Sequence, residues 1–395
     1  MLKIIKKIRA TLILGVLVSF CLGQILLLAQ TALAENVGRT QREQEHMQIA
    51  FERVEGAIKN NRSTLTLRGL RIDQLPSNAA ETKSLKRVDL TGTKISDLSP
   101  LSNNRIENLR ISEDAFQNAA QLSRWADSLD VLWVDFHYDF SVEEFLFETD
   151  FPDFSKLRIL GFNYSQITDF TFLSKSETLE LLAINASDPL QVELYEGKFP
   201  GATKTLAATI PKLSQLRRLR VSASLFPDIS PISGNQNLEH LQLTRYRGLF
   251  PTLSGLEALQ TTPNVEMLSL EGGLVKSGFE YIAGLDKLWA LDIRPWYNLK
   301  NMDDYVAPSL DPLAKSQSIS ALGLYGYAVK DLTAVSKIHS LEALDIEGVP
   351  LRDISVLSNL PNLKDLNFKR VPVRMTPAMK EFMEDMDARK VRLEY

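Results

Sequence analysis

One spacing of apolar residues recurs along most of the chain. In the stretch LKRVDLTGTKISDLSPL, which begins at Leu85, apolar residues occupy relative positions 1, 4, 6, 11, 14 and 17. The same frame returns in full in four further stretches, which begin at Leu157, Leu216, Ile319 and Leu341. Matches to its first six positions begin at Ile106, Leu129, Leu179, Leu238, Val265, Leu288 and Leu363. Twelve copies of one apolar spacing indicate an internal repeat.

The spacing within each copy predicts how one coil of the chain folds. Positions 4 and 6 are two residues apart, so on a short strand both side chains point to the same face, toward a core. Positions 3, 5 and 7 point to the opposite face. Positions 11, 14 and 17 return the chain along the other side of that core. Because one coil cannot bury its own leucines, the coils are expected to stack into a solenoid with a parallel sheet.

The distances between copies agree with a known repeat class. Successive starts are 21, 23, 28, 22, 37, 22, 27, 23, 31, 22 and 22 residues apart, and repeats of 20–29 residues are typical of leucine-rich-repeat proteins. The most specific element is ISDLSPL at Ile95–Leu101, echoed at Pro227–Ile232 and Arg352–Leu357. From Arg62 to Val373 the chain resembles internalin-like bacterial proteins with 22-residue repeats. This resemblance implies an α/β solenoid, a leucine-rich-repeat horseshoe with a parallel concave sheet, and a non-enzymatic role in protein recognition.

The chain departs from this family at relative position 9, where family repeats usually carry Asn. Here that position never holds Asn, so the amide ladder that Asn forms between coils must be weakened or satisfied otherwise. Position 13 is more regular, because five coils carry Asp there with Ser or Thr two residues later. These carboxylates could form a calcium ladder, but capping of a short turn or helix on the convex side is the favoured interpretation. They are Asp97, Asp169, Asp228, Asp331 and Asp353.

Both ends of the repeat array show helical patterns. Apolar residues between Glu35 and Asn60 recur at helical spacing, and Thr376 with Pro377 is typical of a helix start. A short helix is also expected at Ala202–Ile210. We therefore predict four segments and two insertions: a signal peptide at 1–34, an N-terminal helical cap at 35–61, about 13 coils at 62–373 with insertions near 188–215 and 294–318, and a C-terminal cap at 374–395.

The N-terminal segment has the pattern of an export signal. The basic stretch MLKIIKKIR precedes an apolar run from Leu12 to Ala29, and Ala32-Leu33-Ala34 supplies small residues for cleavage before Glu35. Export to the periplasm or out of the cell is the favoured interpretation. The alternative is an uncleaved membrane anchor, because the apolar run is nearly long enough to span a bilayer.

Charge and composition narrow the classes of function. The net charge is −4, and a mildly acidic body argues against nucleic-acid binding. Cys21 is the only cysteine, so after cleavage neither a disulfide nor a thiol nucleophile would remain. The sequence lacks HExxH, GxSxG and comparable catalytic motifs. We expect no enzyme activity, no cofactor and no metal.

The outward strand positions supply candidate binding residues. Two neighbouring coils carry Arg218, Arg220, His240, Arg245 and Arg247, which we name the basic centre. Aromatic residues flank it at Trp133, Phe136, Tyr138, Tyr164, Tyr297 and Tyr325. Arginine and aromatic residues dominate binding hot spots, which favours a protein or peptide ligand, with an acidic one matching the basic centre. The alternative is a solvated strand face. At the level of the whole protein, the second hypothesis is an envelope-associated structural protein, held by its N-terminal helix or by polysaccharide.

Overall fold

The fold is a leucine-rich-repeat solenoid built on one parallel sheet. The computed structural model describes residues 41–136, 151–165, 167–186, 200–244, 252–271, 273–294, 308–329 and 331–395. Within them, fourteen strands form a single sheet in which each strand pairs with its neighbours in chain order. This topology confirms the predicted horseshoe with one continuous parallel sheet.

Each strand is short and covers the first positions of one coil. The strands are β1 Thr64–Thr66, β2 Arg87–Asp89, β3 Asn108–Ser112, β4 Val131–Asp135, β5 Ile159–Ser165, β6 Leu181–Ala186, β7 Arg218–Ser222, β8 His240–Thr244, β9 Met267–Glu271, β10 Ala290–Arg294, β11 Ala321–Gly323, β12 Ala343–Asp345, β13 Asp365–Asn367 and β14 Arg392–Glu394. All pairings are parallel.

The core lies on the side of the sheet that positions 4 and 6 face. In the coil that begins at Leu341, Leu344 is 2% exposed and Ile346 is fully buried. Asp345, between them, is half-buried and faces the other way. The register places Leu322 and Leu366 beside Leu344 on the adjacent strands. Equivalent leucines therefore stack from coil to coil, which confirms the predicted frame.

Short helices close the coils on the convex side. The 3₁₀ helices are Ser77–Glu81, Ser99–Leu101, Ala119–Trp125, Thr171–Lys175, Ile210–Lys212, Ser230–Ile232, Leu256–Thr261, Asp311–Lys315, Val335–Lys337 and Ser355–Asn359. Three α-helices join them within the array, at Glu113–Phe116, Pro200–Thr209 and Phe279–Ala283. The second of these covers most of the helix expected at Ala202–Ile210.

The repeated aspartates at position 13 start these convex turns. Asp97 Oδ1 accepts a 2.8 Å hydrogen bond from the backbone N–H of Ser99, the first residue of its 3₁₀ helix. Asp169, Asp228, Asp331 and Asp353 accept the equivalent bond at 2.8–2.9 Å. These bonds confirm the capping interpretation. The backbone N–H of Ser99 and, to a smaller extent, its hydroxyl hold the pKa of Asp97 below its ordinary value.

A left-handed residue follows the strand in several coils. Glycine takes this conformation without a steric penalty, and at relative position 8 it has φ between 66° and 74° in the coils of Gly69, Gly92, Gly326 and Gly348. Three of these glycines donate their N–H to a carbonyl of the next coil at 2.8–2.9 Å. Arg370 occupies the same position with φ 60°. In these five coils, position 8 is therefore the corner where the chain leaves the sheet.

An amide ladder does exist, but at position 7 instead of position 9. Asn163 Nδ2 donates to Asp135 Oδ1 at 2.7 Å, and Asn185 Nδ2 donates to Asn163 Oδ1 at 3.0 Å. These residues lie on β4, β5 and β6, so the ladder links three successive coils. In these three coils, side-chain bonds at position 7 take the place of the usual Asn ladder.

Helices cover both ends of the array, which confirms the predicted caps. An N-terminal helix at 41–59 buries Ala50, Val54 and Ala57. The C-terminal helix at Pro377–Ala388 starts at Thr376, whose hydroxyl accepts from the N–H of Met379 at 3.2 Å. It buries Met379, Phe382 and Met386, and β14 then extends the sheet. The exact domain boundaries remain a prediction. Within the described residues no helix has the length and apolar character needed to cross a membrane.

One candidate binding residue was assigned to the wrong face. Phe136 was expected on the outward surface, but it is 3% exposed and belongs to the core. Its ring lies 6.4 Å from the rings of both Phe116 and Phe162. Because β4 ends at Asp135, the chain turns at this point and position 8 of the coil points inward.

Candidate functional site

The exposed face of the sheet carries rows of side chains from successive coils. Position 5 gives the clearest row, since the register places Arg110, Trp133, Gly161, Ala183 and Arg220 side by side on β3 to β7. Adjacent strands are about 4.8 Å apart. The concave face therefore presents the outward residues of neighbouring coils as one continuous surface.

The described part of the basic centre lies on β7 and β8. Arg218 and Arg220 are exposed, and within the described residues neither forms an ion pair. His240 is the register partner of Arg218, and burial, followed by the charge of Arg218, lowers its pKa. The imidazole is therefore neutral at pH 7, and the two guanidinium groups supply the positive charge. Arg245 and Arg247 lie outside the described residues.

The neighbouring Arg217 has a different role, although it is part of the same basic run. It faces the rim of the sheet, where its guanidinium lies 2.5 Å from Glu239 Oε1. Similar pairs between adjacent coils follow the same rim, including Lys86 with Glu107 and Arg158 with Asp130. Exposed pairs of this kind contribute little stability. Because Arg217 takes part in these ion pairs along the rim, Arg218 and Arg220 are the arginines of this run that lie on the concave face.

Two of the aromatic candidates, Trp133 and Tyr325, lie within the described residues. Trp133 lies on the concave face three strands from Arg220. Tyr325 lies in the C-terminal half, where its ring is 5.7 Å from the guanidinium carbon of Arg294. Tyr138, Tyr297 and the side chain of Tyr164 lie outside the described residues.

A hollow that the sequence analysis missed lies in the C-terminal half of the concave face. Its volume is about 570 Å³. The small residues Ala290, Ala321 and Ala343, at position 3 of three successive strands, form its floor. Met267 and Trp289 stand at its wall and are 37% and 44% exposed. We name this feature the C-terminal hollow. Its sequence signal is the run of three alanines at one repeat position, visible only once the coils are aligned.

The charges around the C-terminal hollow are mainly negative. Its lining holds five carboxylates, two guanidinium groups and His240. Arg294 Nε lies 2.7 Å from Asp292 Oδ2 and 3.6 Å from Glu271 Oε1. Burial raises the pKa of Asp292, and the charge of Asp345 adds to the rise, although the hydrogen bond from Arg294 opposes it. The described lining therefore favours a positively charged group.

Asp345 is the carboxylate in this lining that has no arginine or lysine within 4 Å among the described residues, although its charge raises the pKa of Arg294 and of Lys369. The other four lie within 4 Å of a described arginine or lysine, namely Arg294, Arg392 or Lys369. Asp345 Oδ1 instead accepts hydrogen bonds from the N–H of Glu347 at 2.9 Å and from Asn367 Nδ2 at 3.2 Å. These neutral donors orient the Asp345 side chain. Within the described residues, no cluster of three or more histidine, cysteine or acidic side chains is arranged to hold a metal ion.

Comparisons with solved structures return matches of low sequence identity. An internalin of Listeria monocytogenes matches at TM-score 0.48 and 12% identity, covering 87% of this chain and 93% of that one. A leucine-rich-repeat protein of Leptospira interrogans matches at 0.40 and 14%, covering 87% and 98%. The mouse RP105/MD-1 complex matches at 0.44 and 17%, covering 84% of this chain and 50% of that one. No family model and no curated protein matches the sequence.

Proposed function

We propose that this chain is an exported, non-enzymatic recognition protein that binds a protein or peptide ligand on its concave face. The observation that carries the proposal is the C-terminal hollow, where Met267 and Trp289 are exposed beside a depression of about 570 Å³. Large apolar side chains grouped on an otherwise polar face are typical of interaction sites. The regular fold of the surrounding coils presents this surface without further rearrangement.

Two regions of the concave face contribute to the proposed site. The basic centre supplies Arg218 and Arg220, with Arg245 and Arg247 as further candidates from the sequence, and it matches an acidic part of a ligand. The C-terminal hollow supplies apolar contact and negative charge. Trp133, Tyr138, Tyr164, Tyr297 and Tyr325 remain the proposed aromatic contacts. A site of this kind needs no cofactor.

The export part of the proposal rests on the N-terminal sequence. A basic stretch, an apolar run and the Ala32-Leu33-Ala34 ending together favour a cleaved signal. The second candidate function, an envelope-associated structural protein, follows if the same apolar run stays in the membrane. That segment lies outside the described residues.

Site-specific photo-crosslinking tests whether the concave face is the binding face. A benzoylphenylalanine at Gln242, which lines the hollow and is the register partner of Arg220, should capture a ligand protein in the native envelope or culture fluid. The matched control carries it at Lys337, an exposed residue of a convex 3₁₀ helix. A discrete adduct at Gln242 and none at Lys337 supports the proposal. Equal labelling at both sites, or labelling only at Lys337, refutes concave-face recognition.

A further inference from the structure

We propose that the C-terminal hollow receives a lysine or arginine side chain from an extended segment of the ligand, with an aliphatic residue beside it. This inference rests on the proposed function and deepens it, since it names the chemistry that one part of the concave face selects. Three features of the hollow carry it: its floor, its negative charge and its apolar wall.

The floor of the hollow allows a long side chain to approach the sheet. Ala290, Ala321 and Ala343 place only methyl groups on three adjacent strands. Gly323, on the middle strand, leaves room for a neighbouring carboxylate, because a Cβ atom there would lie 2.6 Å from Asp292 Oδ1. The carboxylate of Asp292 therefore leans across β11, over the backbone of Gly323. An acceptor oxygen thus lies close to the floor.

Asp345 is the carboxylate of the hollow that forms no ion pair among the described residues. Gly323 separates Asp292 from Asp345 in the register, so the backbones of these two residues are two strands apart, about 10 Å. Asp292 pairs directly with Arg294, whereas Asp345 accepts hydrogen bonds from neutral donors and attracts Arg294 and Lys369 only from a greater distance. A cation placed over Ala321 and Gly323 would lie between both. An acidic ligand group would instead meet like charge.

The wall of the hollow suits the remainder of such a segment. Lysine and arginine have apolar stems that pack along hydrophobic surface, and Met267 and Trp289 are exposed where the stem would pass. An indole face also attracts a cation. An extended segment places alternate side chains on the same side, so a cationic residue and a nearby aliphatic residue can both face the sheet.

Selection from a displayed library of random nonapeptides tests the inference. The immobilised native protein should enrich peptides in which lysine or arginine lies within two positions of an aliphatic residue. Ala321→Phe fills the hollow and should weaken a selected synthetic peptide by about tenfold or more. Asp345→Asn removes one charge at constant volume and should weaken it by about twofold to fivefold, the range of a single exposed ion pair. Arg87→Ala, on β2 far from the hollow, is the matched control and should leave affinity unchanged.

The outcomes separate this inference from the proposed function. Absence of lysine and arginine from the enriched peptides, absence of any enrichment, or affinity that neither Ala321→Phe nor Asp345→Asn changes would overturn the inference. If Ala321→Phe fails to fold, as seen in its melting curve, Asp345→Asn decides alone, because Asn keeps the acceptor that Asn367 and Glu347 use. Crosslinking at Gln242 but not at Lys337 would leave concave-face recognition standing even if the hollow binds no cation.

Discussion

The indole ring of Trp133 lies directly over Gly161 on the adjacent strand. The two residues are register partners on β4 and β5, and a Cβ atom on Gly161 would lie 2.1 Å from Trp133 Cε3 and 2.2 Å from Cζ3. Real Cβ atoms do not approach ring atoms so closely. The indole can therefore lie at this point of the concave face because Gly161 has no side chain.

Gly161→Ala should displace this ring. Because a rigid indole cannot bend away at its tip, we expect a loss of about 1–3 kcal/mol in unfolding free energy, as for overpacked sites, together with a change in tryptophan fluorescence. In a Trp133→Ala background the same Gly161→Ala change should cost much less. Urea unfolding of the four proteins in this cycle measures the coupling. An equal cost in both backgrounds would show that the ring contact is not responsible.

Leu344 and Asp345 test the repeat frame, because they are adjacent in sequence and face opposite sides of the sheet. Leu344→Ala should cost about 2–5 kcal/mol through lost burial and a cavity. Asp345→Ala should cost about 0.5–1.5 kcal/mol, since it removes an acceptor from Asn367 and from the N–H of Glu347. Urea titration of both variants gives the comparison. Similar losses for the two would contradict the frame.

The repeat frame was predictable from sequence because every coil needs apolar side chains at the same relative positions to fill the core. The C-terminal hollow was not, although its floor consists of equivalent residues. Ala290, Ala321 and Ala343 all take relative position 3 of the predicted frame, so their adjacency could be predicted, but the depression above them depends on how neighbouring side chains such as Met267 and Trp289 pack. Phe136 shows the same limit. Its direction depends on where β4 ends, and an apolar residue at position 8 does not reveal that.

Acid should destabilise the protein partly through the convex aspartates. The pKa values of Asp97, Asp331 and Asp353 lie below the ordinary 3.8, chiefly through a backbone N–H two residues later. Their contribution is therefore complete above pH 3.8 and is lost as pH falls through the lower native values. Asp292, with a raised pKa, acts in the opposite direction. It favours the folded state below pH 3.8 and loses that contribution as pH rises through its native value.

The triple variant Asp97→Asn, Asp331→Asn and Asp353→Asn isolates this effect. Asparagine keeps an acceptor for the backbone N–H but does not titrate, so unfolding free energy should fall less steeply below pH 3.8. Asp73→Asn is the control, since Asp73 is exposed and the structure shows no hydrogen bond to its side chain among the described residues. Melting curves over a pH series report the slopes. Identical acid slopes for the triple variant and the parent would rule out a role for these carboxylates.

Export with cleavage predicts a defined N-terminus. Intact-mass measurement of the native protein should find a chain that begins at Glu35, after the Ala32-Leu33-Ala34 ending. Replacing Ala34 by a large residue should block processing, because the cleavage site requires small side chains. A native chain that retains Met1 and sediments with membranes would instead support the anchored alternative.

The two regions of the concave face have opposite charge, and the distance between them predicts the spacing of charged groups in a ligand that binds both. Arg220 lies on β7 and Asp345 on β12, five strands apart, or about 24 Å at 4.8 Å per strand. An extended segment advances about 3.3 Å per residue, so it spans this distance in about seven residues. A ligand segment with an acidic group at one end and a cation at the other can therefore satisfy both regions together.

Synthetic peptides with one glutamate pair and one lysine, spaced by three, seven or eleven residues, measure this preference. The seven-residue spacing should bind most tightly, and its advantage should shrink as salt rises, because exposed charges are screened over about 8–10 Å near physiological ionic strength. Arg218→Ala with Arg220→Ala should abolish the spacing preference while leaving the melting temperature near that of the parent, since both side chains are exposed. Equal affinity at all three spacings would mean that the basic centre and the C-terminal hollow do not act on one ligand segment.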